Sequence, residues 1–233
     1  MKISILGGTG GLGQGLALRW IQYHDIIVGS RLKQKAEETV VNYNEILKKF
    51  GKNNKGRLIA ATNEEAVKNS DIILLSTPPE YTVEMVKNLK KHIPKDVLII
   101  SPVVPMKVES GTFSYKVDMM QKHDVSSAAE AISTELPDHK LITAFHNLPA
   151  KELANLNKTL NGDVLIAGDD EKGVEIVSKL VTDINELRPL YCGSLQTANL
   201  IESITPLLLN VSRNSKLKHP YIKIVGSKID QNK

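Results

Sequence analysis

Short apolar runs alternate along the chain with longer amphipathic stretches, and that alternation predicts a sheet interleaved with helices. Lys2–Leu6 (KISIL) reads as a buried strand, and residues 12–21 follow with Leu12, Leu16, Ala17, Trp20 and Ile21 on one helical stripe. Residues 26–28 give a second strand, 34–50 a helix ended by the turn sequence GKNNKG at 51–56, and 58–61 a third strand. Thr62, Asn63, Glu64 and Glu65 read as an N-cap opening a short helix. Residues 71–76 (DIILLS) and 97–101 (VLIIS) are continuously apolar, as a parallel sheet covered on both faces requires, with a helix over 81–91 between them. Residues 106–125 read as irregular and polar, 126–135 as a helix and 141–145 as a sixth strand. These spacings predict an α/β fold with a doubly wound, mostly parallel sheet and right-handed crossovers.

The texture changes after Pro149. Residues 163–168 (DVLIAG) predict another strand, and Asp169-Asp170 opens a helix running to about residue 182. Leu187–Tyr191 reads as an edge strand because Pro189 fits poorly inside a sheet. Residues 195–212 form a long apolar helix that Pro206 is expected to kink. A helix apolar on most faces is buried in the monomer or faces a second subunit, and the pattern leaves both open.

Chemistry enters at the first strand, which opens into glycines at 7, 8, 10, 11, 13 and 15. Gly8, Gly10 and Gly13 satisfy GxGxxG: a tight turn, a close backbone approach to a pyrophosphate, and close packing of the next helix, whose free N–H groups face the anion. Such a motif after a strand and before a helix predicts a Rossmann dinucleotide site. The second strand should then end in the residue that meets the ribose, and there the chain has Gly29, Ser30 and Arg31 with no carboxylate. A hydroxyl and a planar cation suit a 2′-phosphate, so the expected cofactor is NADP, with Lys35 adding charge and Thr9 a donor from the loop.

Three strands stop at proline-containing loops: Thr77-Pro78-Pro79, Ser101-Pro102 with Pro105 behind, and His146-Asn147-Leu148-Pro149. Ligands of an open α/β sheet bind beyond the carboxyl ends of its strands. These loops are therefore expected to form one stiff wall above the glycine loop, suited to positioning planar groups.

Composition narrows the picture further. At 233 residues the chain is one large or two modest domains, and with aromatics at 4% its core must be aliphatic. No run approaches the roughly 18 apolar residues of a membrane span and no leader is visible, so a soluble, cytoplasmic protein is expected. Cys192, the only cysteine, excludes an internal disulfide and a cysteine-built metal site, and reads as a small buried apolar side chain. The net charge of +4 raises nucleic acid as a partner, but the basic residues are dispersed and no aromatic-and-basic stripe accompanies them. The stretch from Arg213 to Lys233, with Lys216, Lys218, Lys223 and Lys228, is a solvated tail or a source of positive potential for an anionic ligand. No triad, paired carboxylates or histidine-rich metal spacing is visible. His146, at a strand end, is the best polar candidate, able to hydrogen-bond a ring or assist its proton balance. His24, His92, His123, His139 and His219 read as surface or turn residues.

The chain resembles the coenzyme F420-dependent NADP reductases, the 8-hydroxy-5-deazaflavin:NADPH oxidoreductases. The resemblance is carried by ILGGTGGLGQGLALR at 5–19, GSR at 29–31 with Lys35, SPVVP at 101–105, and His146 to Ala150. It continues through AGDD at 167–170, LRPL at 187–190 and IESITPLLLN at 201–210. It implies hydride transfer between C5 of the deazaflavin and C4 of the nicotinamide, and no metal. The cofactor set it implies runs through Gly8, Thr9, Gly10, Gly11, Leu12 and Gly13, then Ser30, Arg31 and Lys35, then Ser76, Thr77, Pro78, Ser101, Pro102 and Val103. His146, Leu148 and Pro149 would meet the deazaflavin. Asn199 would too, standing where relatives are expected to carry an arginine, with cations of the tail left to substitute. Residues 1–150 would be the NADP-binding domain and 151–233 a smaller domain completing the crevice, in a homodimer. Two other readings keep the fold: an NADPH-dependent reductase of a flavin, ferric chelate or imine, and an NADP-binding redox sensor without catalysis.

Overall fold

In a computed structural model the described residues are 1–51, 54–120 and 124–227. Lys52, Asn53, His123, Lys228 and Lys233, named above, lie outside them. Ten strands and eight helices are present among the described residues. Eight strands form one sheet: β1 (Lys2–Leu6), β2 (Asp25–Ser30), β3 (Leu58–Thr62), β4 (Ile72–Leu75), β5 (Leu98–Ser101), β8 (Lys140–Thr143), β9 (Gly162–Gly168) and β10 (Leu187–Tyr191). Their order is β10-β9-β8-β5-β4-β1-β2-β3. Every pairing is parallel except β8 with β9. The sheet therefore runs without a break across residue 150, and β10 with its Pro189 lies at the edge.

The winding of the sheet, not the direction of its strands, reverses at β1. The chain winds from β1 outward to β2 and β3, then returns to the other side of β1 with β4. The carboxyl ends of β1 and β4 thus flank a topological switch point, the position where open α/β sheets bind ligands.

Strand residues alternate between two aliphatic cores, one on each face. Ile3, Ile5, Ile72, Leu74 and Ile100 join Leu16 and Trp20 of helix α1 (Gly11–Trp20) and Tyr43 of α2 (Lys33–Lys49) on one face. Leu6, Ile73, Leu75 and Ile99 join Ala66 of α3 (Asn63–Lys68), Val86 of α4 (Pro79–Leu89) and Ile132 of α5 (Ala128–Glu135) on the other. Trp20 stands edge-on to Phe145 at 5.3 Å, and its indole N–H donates to the Leu180 carbonyl at 2.9 Å, so the single tryptophan locks α1 to α7 (Glu171–Thr182).

One contact sets the height of the site. Helix α6 (Ala150–Ala154) lies against α1, where Gly15 leaves room for Leu153; a Cβ on Gly15 would meet Leu153 Cγ at 2.8 Å. Arg19 is buried beside it and donates to the carbonyls of Leu153 (3.0 Å), Asn155 (2.8 Å) and Lys158 (2.7 Å), a cation on the exposed carbonyls at the end of α6.

Three expectations are corrected. Residues 106–125 are not all irregular: β6 (Met106–Glu109) and β7 (Thr112–Tyr115) form an antiparallel hairpin, followed by a 3₁₀ turn at Val117–Met120. Ser110 and Gly111, at φ 48° and 80°, make its two-residue turn. The strands are largely exposed and show no strict alternation, so the period-two signal is missing. Cys192 is exposed. His24 is buried, its Nε2 lying 2.8 Å from Asp183, because the turn after α1 folds back under α7.

Gly15→Val should lower the unfolding free energy by about 1–3 kcal/mol through overpacking against Leu153. The expected readout is a lower urea midpoint with an unchanged slope.

Candidate active site

The glycine loop closes with a bond from Gly10 N to Gly7 O at 2.9 Å. Gly7 holds φ 79°, and a Cβ there would lie 2.4 Å from the Ser76 carbonyl, so the tight turn falls one residue before the expected Gly8. A Cβ on Gly13 would meet Gly8 Cα at 3.0 Å, which seats α1 directly on the loop. Tyr43 reaches from α2 to donate to the Gly8 carbonyl, and burial raises its phenol pKa. Helix α1 begins at Gly11 with no side-chain cap and no acidic residue in its first turn. Its free N–H groups therefore face solvent beside a close backbone approach, a cradle that fits a pyrophosphate.

From this loop a groove runs in two directions. One cavity, 950 Å³, passes Thr9 and the end of β2 to Ser30, Arg31 and Lys35 on one side and Thr62, Asn63 and Tyr81 on the other. Arg31 and Lys35 are exposed and form no ion pair among the described residues, whereas neighbouring Lys33 is paired with Glu65 at 3.3 Å. Asn63 Oδ1 is buried with no partner among the described residues. The second cavity, 680 Å³, runs from Gly7, Thr9, Gly10, Gly11 and Leu12 between the proline loops to helix α8 (Ala198–Asn214). Gly7, Thr9, Thr77 and Pro78 line both cavities, so the two are halves of one groove with its waist at the glycine loop.

Most of the sequence-derived candidates meet in this groove. Ser76, Thr77, Pro78, Pro102, Val103, His146, Leu148 and Pro149 line the second cavity. Thr77 is oriented by Thr82, whose hydroxyl lies 2.9 Å away and donates to Pro78 O at 2.9 Å. Gly8, Gly13 and Ser101 lie behind the lining and support it: the buried Ser101 carbonyl accepts from the Thr143 hydroxyl at 3.0 Å. Asn199, near the start of α8, does not line either cavity. Sequence reasoning placed Asn147 in the wall without singling it out, and missed Lys151, Thr205, Leu208, Ser212 and His219, which also line the second cavity. His219 therefore joins the groove rather than the open surface.

His146 is 5% exposed and follows Phe145, which holds φ 72°. That left-handed backbone is strained for an aromatic residue and turns the chain sharply at the end of β8. The Thr143 hydroxyl gives its one proton to Ser101 O and so accepts from His146 Nε2–H at 3.0 Å. Nδ1 is left as a bare acceptor with no partner among the described residues. Burial pushes the His146 pKa down to about 3, so the ring is neutral at neutral pH. Asn147 repeats the pattern: its amide N–H donates to Asp163 O at 2.6 Å, and its buried Oδ1 has no partner. Thr205 of α8 donates to the His146 carbonyl at 2.8 Å, fixing the helix against this loop.

Behind α8 the buried Glu202 carboxylate accepts from Tyr115 Oη (2.7 Å) and from the amides of Ala128 (2.9 Å) and Ala129 (3.0 Å) at the start of α5. It ties the hairpin, α5 and α8 together at the outer end of the groove. Desolvation pushes its pKa up to about 7 against the opposing pull of these donors, while Glu130 adds a like charge.

A parallel sheet with an uncapped helix N-terminus and a glycine cradle at its switch point, a pair of unpaired cations at one end and neutral acceptors at the other, defines a dinucleotide-binding oxidoreductase of Rossmann type. The family described as NADP oxidoreductase, coenzyme F420-dependent, matches residues 2–105. The F420-dependent NADP reductase of Methanocaldococcus jannaschii is 37% identical over 98% of this chain and 100% of its own length. That of Methanothermobacter marburgensis is 32% identical over 97% and 99%. A solved structure from Arthrobacter sp. FB24, described as a candidate F420-dependent NADP reductase, shares the fold with a TM-score of 0.76 at 16% identity, covering 97% of this chain and 100% of its own. An imine reductase of Streptomyces aurantiacus has a TM-score of 0.57 at 13% identity, covering 91% and 61%. The chain belongs to the F420-dependent NADP reductase family.

Because the folded pKa of Glu202 lies above that of an unfolded glutamate, its contribution to stability is present below about pH 4.5 and lost as pH rises through about 7. That loss should be on the order of 3 kcal/mol. Unfolding curves taken between pH 4.5 and 8 should show this decline in the wild type and lose it in Glu202→Gln.

Proposed function

We propose that the protein transfers a hydride between reduced coenzyme F420 and NADP⁺, reversibly, with NADP lying along both halves of the groove and the deazaflavin entering the half lined by α8. The observation that carries the reading is the unpaired chemistry at the two ends of one continuous groove: free cations at Arg31 and Lys35, and orphaned neutral acceptors at His146 Nδ1 and Asn147 Oδ1.

The turn from Gly7 to Leu12 fits the pyrophosphate, because Gly7 allows the close turn at the end of β1 and α1 then starts with no side-chain cap on its amides. Ser30 and Arg31 at the end of β2, with Lys35 in the first turn of α2, fit the 2′-phosphate as hydroxyl donor and charge-assisted partners. Asn63 Oδ1 fits a hydroxyl or amino donor of the adenosine. When bound, the two cofactors supply the redox chemistry themselves, which requires proximity and alignment of C4 and C5. The protein's part is to hold ring edges. A carboxamide and the pyrimidine-dione edge of a deazaflavin both present N–H donors, and His146 Nδ1 and Asn147 Oδ1 are acceptors fixed by Thr143 and Asp163. Pro78, Pro102, Pro149, Leu148 and Leu208 supply an apolar, stiff surround that excludes water from the rings.

Residues 1–150 then carry the nucleotide and 151–233 close the crevice. A cytoplasmic homodimer belongs to the same proposal. Leu200 and Leu207 lie two turns apart on the outer face of α8, 66% and 58% exposed, and offer an apolar stripe to a second copy. Among the described residues no helix is long and apolar enough to cross a membrane.

The first test mixes purified protein with oxidised F420 and either NADPH or NADH while following the visible band of the deazaflavin. Bleaching with NADPH alone supports substrate, cofactor and reaction class together. Tight NADPH binding without bleaching points to another acceptor or to a sensor. Arg31→Ala with Lys35→Ala should weaken NADPH by more than about 1 kcal/mol and leave NADH unchanged; equal weakening of both would overturn the 2′-phosphate assignment. With His146 neutral, the pH profile of hydride transfer should carry no limb from this ring between pH 5 and 8, and a histidine limb that disappears in His146→Asn would contradict its assigned neutrality.

A further inference from the structure

The chain beyond α8 does not hang free. Residues 215–224 form a strap pinned at both ends. At the near end Ser212 Oγ donates to Leu217 O at 2.6 Å, and Arg213 donates to Gly111 O at the hairpin turn. At the far end Asp163 holds the strap from both sides. Its amide donates to Ile222 O at 2.8 Å, and its carboxylate accepts from Ile224 N at 2.6 Å. Arg188 completes the clasp, donating to the same carboxylate at 2.7 and 2.8 Å and to Ile224 O at 2.6 Å. Asp163 is 1% exposed, and its bond to Arg188 holds its pKa below the usual carboxylate range. Gly162 carries no Cβ where Tyr221 crosses at 2.6 Å from the position one would take.

Between the two pins the strap passes the mouth of the second cavity, where His219 and Pro220 form part of its lining, as does Lys151. Lys216 and Lys218 flank that point; they and Lys151 are exposed and without ion pairs among the described residues. Glu152, 3.9 Å from His219, is already engaged by Lys158 at 2.6 Å. From 203 to 229 the sequence contains no acidic residue at all. A pinned segment carrying only positive charge at the mouth of an apolar crevice is an electrostatic rim.

We propose that this strap is the binding subsite for the anionic side chain of the deazaflavin substrate, the phosphodiester and glutamyl carboxylates beyond its ribityl chain, with Lys216, Lys218 and Lys151 as the receiving charges. The inference rests on the F420 reading above and deepens it. Compact, mobile ammonium groups suit a flexible polyanion whose carboxylates have no fixed geometry, where a forked guanidinium would be selective.

Equilibrium binding, followed by deazaflavin fluorescence with the full chain and no NADPH, tests the proposal. Three ligands separate the sources of side-chain charge: F420, its form lacking glutamates but keeping the phosphodiester, and ribityl-8-hydroxy-5-deazaflavin, which has neither. The paired variant Lys216→Glu/Lys218→Glu should weaken F420 about tenfold at low salt and leave the ribityl compound unchanged. Lys216→Arg/Lys218→Arg should restore binding, and wild-type affinity for F420 should fall more steeply with added salt than that for the ribityl compound. An intermediate loss for the form without glutamates assigns part of the contact to the phosphodiester. The strap proposal is overturned if the charge reversal weakens the ribityl compound equally, or if the wild type binds F420 no better than the ribityl compound; either result leaves the F420 reading standing. A wild type that binds none of the three overturns both.

Discussion

Every part of the site depends on one close approach of backbone to backbone, that of Gly7 to the carbonyl of Ser76. A Cβ at Gly7 would stand 2.4 Å from that oxygen. Because it is absent, the end of β1 and the end of β4 meet at the point where the sheet reverses its winding. The loop then turns through Gly10, and α1 starts with its amides bare. The same proximity places Thr77 and Pro78 at the waist of the groove, where both halves are lined by the same residues. A side chain at Gly7 would force apart the two strands that define the switch point, so the cradle and the groove are one geometric fact.

The two halves differ in how they treat charge. At the open end Arg31 and Lys35 stand in water and are left unpaired, which costs little and offers a full charge to a phosphate. At the enclosed end the buried histidine keeps no charge: His146 is neutral by burial and is fixed in one tautomer by Thr143 and Ser101. An ionised group beside the rings would bias the electron distribution of one cofactor against the other, whereas a neutral acceptor orients both at low energetic cost. The anionic parts of both ligands are thus met at the rims, and their planar parts between prolines and leucines.

What the sequence made legible was local. The strand, glycine run and helix of residues 2–21 lie together in sequence as in space, so their spacing carried the dinucleotide reading. Ser30 and Arg31 were legible for the same reason, since they end the next strand. Even there the turn was placed one residue late, at Gly8 instead of Gly7, because six glycines in nine positions allow more than one frame. His146 could be singled out as a strand-end histidine, but its neutrality depends on burial by residues from β5, β8 and α8, which no local pattern encodes.

The outer wall was illegible because its stability is tertiary. A two-stranded hairpin such as β6–β7 is marginal alone and mostly polar here, so neither propensity nor alternation announced it. It stands because α8 completes it: Asn210 bonds both the N–H (2.9 Å) and the C=O (2.7 Å) of Phe113, imitating a neighbouring strand, and Glu202 takes the Tyr115 hydroxyl. Helix α8 in turn read as apolar on most faces, whereas it divides them among several partners. Ile201, Glu202 and Pro206 are buried, Thr205 and Leu208 line the groove, and Leu200 and Leu207 face outward. One helix therefore packs the sheet, walls the crevice and anchors a hairpin nearly a hundred residues earlier. Its composition left burial and a subunit contact both open because different partners each select a short apolar stretch of it. The chemistry of the groove is written in the first third of the chain, and its shape is closed by the last.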